Sequence, residues 1–217
     1  MILRRSKTAD LPALQALWQS VFGDPPAFTG RFYETFGADS AIVAQQEGEI
    51  IAMIHPLPVA LAQNGRYSFG VYIYALATAP AHRGQGIAAR LLEAAESNPF
   101  PVPPTLGTTA DASGLVENIT DAPAFSLLIP GEESLFAYYR GKGYTREAAV
   151  LSREAEDYPS QLRQGMKNAP IFLKPEAFYT FSRKIPEAVP PPVEQALWKP
   201  LSQSLTDSKP TLSHFMQ

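Results

Sequence analysis

Proline cannot donate a backbone hydrogen bond, and its ring clashes with the preceding helical turn, so its placement limits what a chain can form. This chain carries 21 prolines in 217 residues, nearly twice a background of about 5%. Six lie at or before Pro80 and fifteen at or after Pro99. The run Asn98, Pro99, Phe100, Pro101, Val102, Pro103, Pro104 excludes helix, and Pro190, Pro191 and Pro192 make a second break.

Ahead of the break, Thr8 is expected to cap a helix whose apolar positions are Leu11, Leu14, Leu17, Trp18, Val21 and Phe22, ended by Gly23, Asp24, Pro25 and Pro26. Phe28, Phe32, Tyr33 and Phe36 recur at helical spacing. Residues 41–44 read as a strand, Glu47-Gly48-Glu49 as a turn, and residue 50 as the start of a second strand. Asn64-Gly65 is a hairpin signal, because both residues tolerate the positive φ of a tight turn. A third strand covers residues 71–78 and a helix residues 86–96. Beyond the break, residues 124–129 and 148–151 read as strands around a helix at 132–142 closed by Gly143. Ile171, Phe172 and Leu173, and also residues 178–181, offer a further strand or cover for the sheet edge, and residues 193–198 a helical turn. The order describes a mixed α/β sheet.

Composition removes whole classes of function. Hydrophobic residues make up 45% of the chain, too many for general disorder. No apolar run approaches the roughly 18 residues of a membrane span. The residues after Met1 run into a polar stretch with no long apolar run behind it, so no secretory signal is expected. A net charge of −3, without a cluster of Lys and Arg, argues against a nucleic-acid grip. Cysteine is absent, which removes disulfides and Cys nucleophiles, and His55, His82 and His214 are too scattered for a dedicated metal site. The expectation is a cytoplasmic protein with no metal, no nucleic-acid partner and no membrane.

The segment from Leu76, Ala77 and Thr78 through Arg83, Gly84, Gln85, Gly86, Ile87 and Ala88 carries the most chemistry. A strand ends, Pro80 stops the ladder, and a glycine-rich turn opens a helix. Unpaired N–H groups and the positive end of the helix dipole make such a start a phosphate seat. The glycines let an anion approach the backbone, and Arg83 adds a cation. A purely structural turn is the competing reading. A dinucleotide fold fits G-x-G-x-x-A, but residues 80–83 separate the glycines from the strand and no acidic residue follows about 20 positions on. A nucleotide loop of the Gly-Lys-Ser/Thr type fails outright.

Arg83-Gly84-Gln85-Gly86-Ile87-Ala88 resembles the R/Q-x-x-G-x-G/A signature of the GNAT N-acetyltransferases, in matching context: strand, Pro80, then a helix with Leu91 and Leu92. The first helix, the hairpins and the segment Tyr138-Tyr139-Arg140-Gly141-Lys142-Gly143-Tyr144 follow the family's order. The resemblance covers roughly residues 1–155, with 156–217 a C-terminal extension that packs on the sheet or at a dimer contact. It implies a mostly antiparallel sheet flanked by helices, with two splayed parallel strands at the cofactor site, one ending at Thr78 and the other at 124–129. It implies that residues 83–88 seat the acetyl-CoA pyrophosphate and that Leu76, Ala77 and Thr78 pair with the pantetheine arm.

The same resemblance implies direct acetyl transfer to a primary amine of a small molecule or peptide, a backbone oxyanion donor near Thr78, and Tyr139 as the acid for the departing thiolate. Core packing is the alternative for Tyr139. No base stands out. The strand before the loop holds Tyr72 and Tyr74 but no carboxylate; these tyrosines line the acceptor pocket or are half-buried strand residues. His55 before Pro56 is a weaker candidate for the acceptor side, and His82 for a cofactor contact. Glu132 and Glu133 are explained by the helix dipole alone. Two rivals remain: an acyl-CoA-binding module without catalysis, and a protein-interaction domain in which the glycine turn is structural.

Overall fold

A computed structural model describes residues 1–63, 66–97, 123–151, 171–173 and 193–201. The expected turn at Asn64 and Gly65, the proline-rich stretch 98–122 and residues 178–181 lie outside the described residues. The chain divides into two compact units, Met1–Leu57 with Ile73–Ala122 and Pro58–Tyr72 with Pro123–Gln217. Two long strands, β3 (Glu49–Gln63) and β4 (Arg66–Thr78), contribute to both.

In the first unit, β1 (Ile2–Arg5) pairs antiparallel with β2 (Ile42–Gln46), and β2 antiparallel with β3. β4 follows β3 in the strand order. No strand was expected at β1, whose four residues are too few for a periodic pattern. Ser6 extends that pairing: its N–H and its hydroxyl both donate to the Ala41 carbonyl, at 2.9 and 3.0 Å, and its Oγ accepts the Ala41 N–H at 3.1 Å. The turn between β2 and β3 is where the sequence placed it, with Glu47 at φ 53° and Gly48 at φ 89°.

Helix α1 (Leu11–Phe22) follows a single 3-10 turn at Thr8–Asp10. Asp10, not Thr8, stands at the N-cap position of α1, and no side chain caps that helix. Its carboxylate accepts the Lys7 N–H at 2.9 Å and both Arg4 guanidinium nitrogens, at 2.6 and 3.0 Å. The carboxylate instead ties the 3-10 turn back to Lys7 and Arg4. The Arg4 bonds hold the Asp10 carboxyl below its usual range. Gly23 closes α1 in the left-handed conformation, donating to the Gln19 carbonyl. Helix α2 (Pro26–Phe36) buries Thr29, Phe32, Tyr33 and Phe36, the spacing of one helical face. Helix α3 (Ile87–Glu96) buries Ile87, Leu91, Leu92, Ala94 and Ala95.

In the second unit, β4 is followed in strand order by β5 (Phe125–Leu128), β8 (Val193–Pro200), β6 (Arg146–Leu151) and β7 (Ile171–Leu173). β7 also pairs antiparallel with β3, through Ala60, Leu61 and Ala62. The order thus returns to its starting hairpin and closes into a ring. β6 and β7 run parallel; β8 is antiparallel to both β5 and β6. All four β5 residues are buried, as in a strand covered on both faces. Helix α4 (Glu133–Arg140) connects β5 to β6, and Gly143 at φ 89° turns the chain out of it.

Two expectations for the distal segments meet different outcomes. Residues 171–173 do add a strand. Residues 193–198 form not a helical turn but β8, with Ala196, Leu197 and Trp198 buried. Eight residues ending at Pro200 and preceded by Pro192 are too few for a stable isolated helix. As a strand they pair on both sides, Leu127 and Arg146 facing Trp198, and tertiary pairing outweighs local preference.

The start of β4 and β5 approach closely at Gly70. A Cβ there would lie 2.5 Å from the Phe125 carbonyl oxygen and 2.6 Å from its ring. Gly70→Ala is expected to lower stability by about 1–3 kcal/mol through overpacking, measured as a fall in the urea midpoint at unchanged slope; an unshifted midpoint would contradict this close approach.

Candidate active site

The end of β4 is irregular. Ala75 has φ 45°, a left-handed conformation that costs a non-glycine residue energy. Beyond it, Leu76 and Thr78 are half-buried and Ala77 is buried. Ala79 donates to the Ile51 carbonyl at 2.9 Å, keeping the strand end attached to β3. The Thr78 hydroxyl oxygen is buried without a hydrogen-bond partner among the described residues.

A 3-10 turn at Pro80–His82 leads to the glycine loop. Gly84 and Gly86 sit at φ 76° and 74°, where a side chain is strained, and a Cβ at either would meet nothing within 4 Å. The glycines are required by backbone conformation, and the space above them is open. No side chain caps α3. The N–H groups of residues 84–89 donate to no acceptor among the described residues; the first helical bond is Arg90 to Gly86, at 3.2 Å. Such a row of outward donors at a helix start suits an anion. The exposed Arg83 side chain is steadied by its Nε donating to the Thr78 carbonyl at 3.2 Å. Gln85 is exposed, Ala88 half-buried, and Ile87 anchors the helix start in the core at 3% exposure. The structure therefore gathers Leu76, Ala77, Thr78, Arg83, Gly84, Gln85, Gly86, Ile87 and Ala88 in one strand–loop–helix of the first unit. His82 is half-buried on the same loop.

Behind the strand lies an aromatic cluster. Trp18 contacts Phe22, Phe28, Phe32, Tyr33, His55 and Tyr74 with ring centroids 4.8–6.1 Å apart. Tyr74 is half-buried and stacks on Phe32 at 5.4 Å. His55, read from the sequence as a candidate for the acceptor side, is completely buried in this cluster. Its Nε2 lies 3.2 Å from the Tyr33 hydroxyl, while its Nδ1 has no partner within hydrogen-bond geometry. Burial pushes its pKa down to about 3, although the Ala75 and Tyr74 backbone favours a proton on the ring. Burial also pushes the Tyr33 hydroxyl up. The sequence signal for this pair was faint: Tyr33 sits on a helical stripe that reads as core.

The second unit holds Tyr72 and Tyr139. Tyr72 is buried at 3% exposure. Tyr139 on α4 is 8% exposed, with its ring 5.1 Å from Tyr138 and 5.9 Å from Tyr144. Its carbonyl accepts the Lys142 and Tyr144 N–H groups at 2.9 and 3.1 Å, and Tyr144 in turn hydrogen-bonds Ser126 at 2.6 Å. Burial, with Tyr138 beside it, pushes the Tyr139 hydroxyl up to about 12, so it keeps its proton at neutral pH. Glu132 and Glu133 are exposed at the α4 start, as the dipole reading requires. Among the described residues, no three His, Asp or Glu side chains gather as a metal site, and no helix is long and apolar enough to cross a membrane.

The depressed His55 pKa has a pH consequence. An unfolded His titrates near 6.5, so below that value the unfolded chain takes up a proton that the native ring refuses. This stabilisation is complete above pH ~6.5 and is lost as pH falls toward about 3, at up to ~1.4 kcal/mol per pH unit. Urea titrations at several pH values are expected to show a shallower acid-side slope in His55→Asn than in wild type; equal slopes would contradict the buried, neutral ring.

Comparison with known proteins joins these features. Residues 3–98 match the family model described as an acetyltransferase (GNAT) domain. No curated protein matches the chain. The GCN5-related N-acetyltransferase of Kribbella flavida is similar in structure at 12% identity and a TM-score of 0.50, over 86% of this chain and 49% of that one. The GCN5-related N-acetyltransferase of Anabaena variabilis matches at 14% identity and a TM-score of 0.47, over 69% of this chain. This chain spans about a third, 32%, of that protein's length. The diaminobutyrate acetyltransferase of Paenibacillus lautus, solved with L-2,4-diaminobutyric acid and coenzyme A, matches at 15% identity and a TM-score of 0.42, over 91% of this chain and 92% of that one. Residues 3–98 thus match the model of a GNAT acetyltransferase domain, and the chain's fold is similar to that of a GCN5-related N-acetyltransferase.

Proposed function

We propose that the chain transfers an acetyl group from acetyl-CoA directly to a primary amine of a small molecule or peptide. The observation that carries this reading is the open row of N–H donors at residues 84–89, held in place by left-handed Gly84 and Gly86. A pyrophosphate supplies acceptors for such a row, and Arg83 adds a charge beside it. Acetyl-CoA brings an activated thioester; the chain binds and orients it. Leu76, Ala77 and Thr78 form the edge for the amide-bearing arm, which takes the place of a neighbouring strand. The unpartnered Thr78 hydroxyl supports a polar ligand at that edge.

Tyr139 is proposed as the group that protonates the departing thiolate, since its hydroxyl stays protonated at neutral pH. Half-buried Tyr74 is proposed for the acceptor side, and buried Tyr72 is the weaker of the two strand tyrosines. The boundary near residue 155 remains a proposal, as does a homodimer contact. One observation favours a binding module without catalysis instead: β4 carries no carboxylate to act as base.

Calorimetry with acetyl-CoA and a free-thiol assay against a panel of amines separate the readings. Wild type is expected to bind acetyl-CoA, and Arg83→Glu to bind about tenfold more weakly through the lost charge-assisted contact. Tyr139→Phe is expected to keep the affinity and lose about 100-fold in turnover. Binding without turnover of any amine supports the non-catalytic module. No binding by wild type removes the proposal.

A further inference from the structure

Helix α4 has only eight residues, too few to hold its own direction. What anchors its C-terminal end therefore decides where Tyr139 lies. That end is a left-handed glycine cap. Gly143, at φ 89°, donates to the Arg140 carbonyl at 3.0 Å, and Tyr144 donates to the Tyr139 carbonyl at 3.1 Å. In such a cap the residue after the glycine packs on the residue whose carbonyl it bonds. Here those two are Tyr144 and Tyr139, with ring centroids 5.9 Å apart and planes at 70°. Tyr139 is thus coupled to Tyr144 through both backbone and ring.

Tyr144 is itself held by β5 and β8. Ser126 and Lys199 are register partners on these strands, so their side chains share one face of the sheet. The Tyr144 hydroxyl and Ser126 Oγ share a hydrogen bond of 2.6 Å. The Lys199 ammonium sits 4.7 Å from the Tyr144 ring centroid and donates to the Lys142 carbonyl at 3.2 Å. Ser126 and Tyr144 are both fully buried, Ser126 in a strand otherwise made of Phe125, Leu127 and Leu128. A buried pair of hydroxyls adds little net stability, since an apolar pair of the same shape is nearly neutral. Direction is what the bond supplies: it fixes the far end of the Tyr144 ring to one point on β5.

We infer that Ser126 and Tyr144 are positioning residues for the proposed acid: their buried hydrogen bond fixes the cap of α4 to β5 and so holds the Tyr139 hydroxyl in one place. The catalytic consequence rests on the acid role proposed for Tyr139. The tether itself does not depend on that role.

Three variants test it: Ser126→Ala, Tyr144→Phe and the two together. Each single variant leaves one buried hydroxyl without its partner, whereas the double variant removes both. Stability, read as the urea midpoint, is therefore expected to be higher in the double than in either single variant. Turnover is expected to rank differently. All three variants lack the bond, so kcat falls about tenfold in each, with the KM for acetyl-CoA unchanged. In a Tyr139→Phe background the same substitutions cost no further turnover. A kcat that recovers in the double variant along with the midpoint would make the pair a matter of stability alone and overturn the inference. A further loss on top of Tyr139→Phe would do the same.

Amide hydrogen exchange reads the tether without turnover. The Lys142 and Tyr144 amides donate to the Tyr139 carbonyl at 2.9 and 3.1 Å. They are expected to exchange about tenfold faster in the double variant, with the β5 amides unchanged. Unchanged exchange at Lys142 and Tyr144 would overturn the inference. If wild type turns over no amine, or Tyr139→Phe keeps full turnover, the acid reading fails together with the catalytic half of this one, and exchange decides the tether.

Discussion

The Trp18 ring is the contact on which the first unit depends. It touches residues from α1, α2, β3 and β4. Burying a large aromatic removes about 150–250 Å² from water, worth about 4–6 kcal/mol at 25 cal/mol per Å². The Trp18 Nε1–H is satisfied by Asp24 at 2.8 Å, just past the α1 end, so the ring is fixed in orientation as well as buried. The Phe32–Tyr74 stack and the Tyr33–His55 pair belong to this cluster, and Tyr74 leads along β4 into the strand end at Leu76–Thr78.

The strand–loop–helix was legible because its signals are local. Pro80 and the two glycines state backbone requirements that hold wherever the segment lies, and the structure places both glycines in the left-handed region. The helices α1 to α3 were legible from apolar spacing, to within a residue or two at their ends. β1 was not, because four residues, mostly half-exposed, carry no period. β8 was misread because Val193–Pro200 takes its conformation from β5 and β6, which are distant in sequence. The left-handed Ala75 could not be seen either. Alanine gives no warning of positive φ, and the conformation depends on neighbours that only the fold supplies.

The loop and the two site tyrosines illustrate different kinds of information. A row of backbone donors is chemistry without side chains, so it leaves a trace only in glycine spacing. Tyr139 and Tyr74 are ordinary aromatic residues in ordinary elements. Their roles depend on which part of each ring stays accessible, and sequence does not report that. The structure sorts them by degree: Tyr72 and Tyr139 are buried, Tyr74 is half-buried.

The ring order of the second unit has a consequence for how the protein is made. β5 and β6 are joined through α4 and emerge from the ribosome early, yet the strand between them is β8, which ends at Pro200. Until that segment emerges, each of the two strands has an open edge where β8 will dock. Unpaired edges of this kind attract other strands. The nascent chain must therefore keep a slot of defined width free of strangers while some forty further residues are synthesised, counted from Leu151 to Val193.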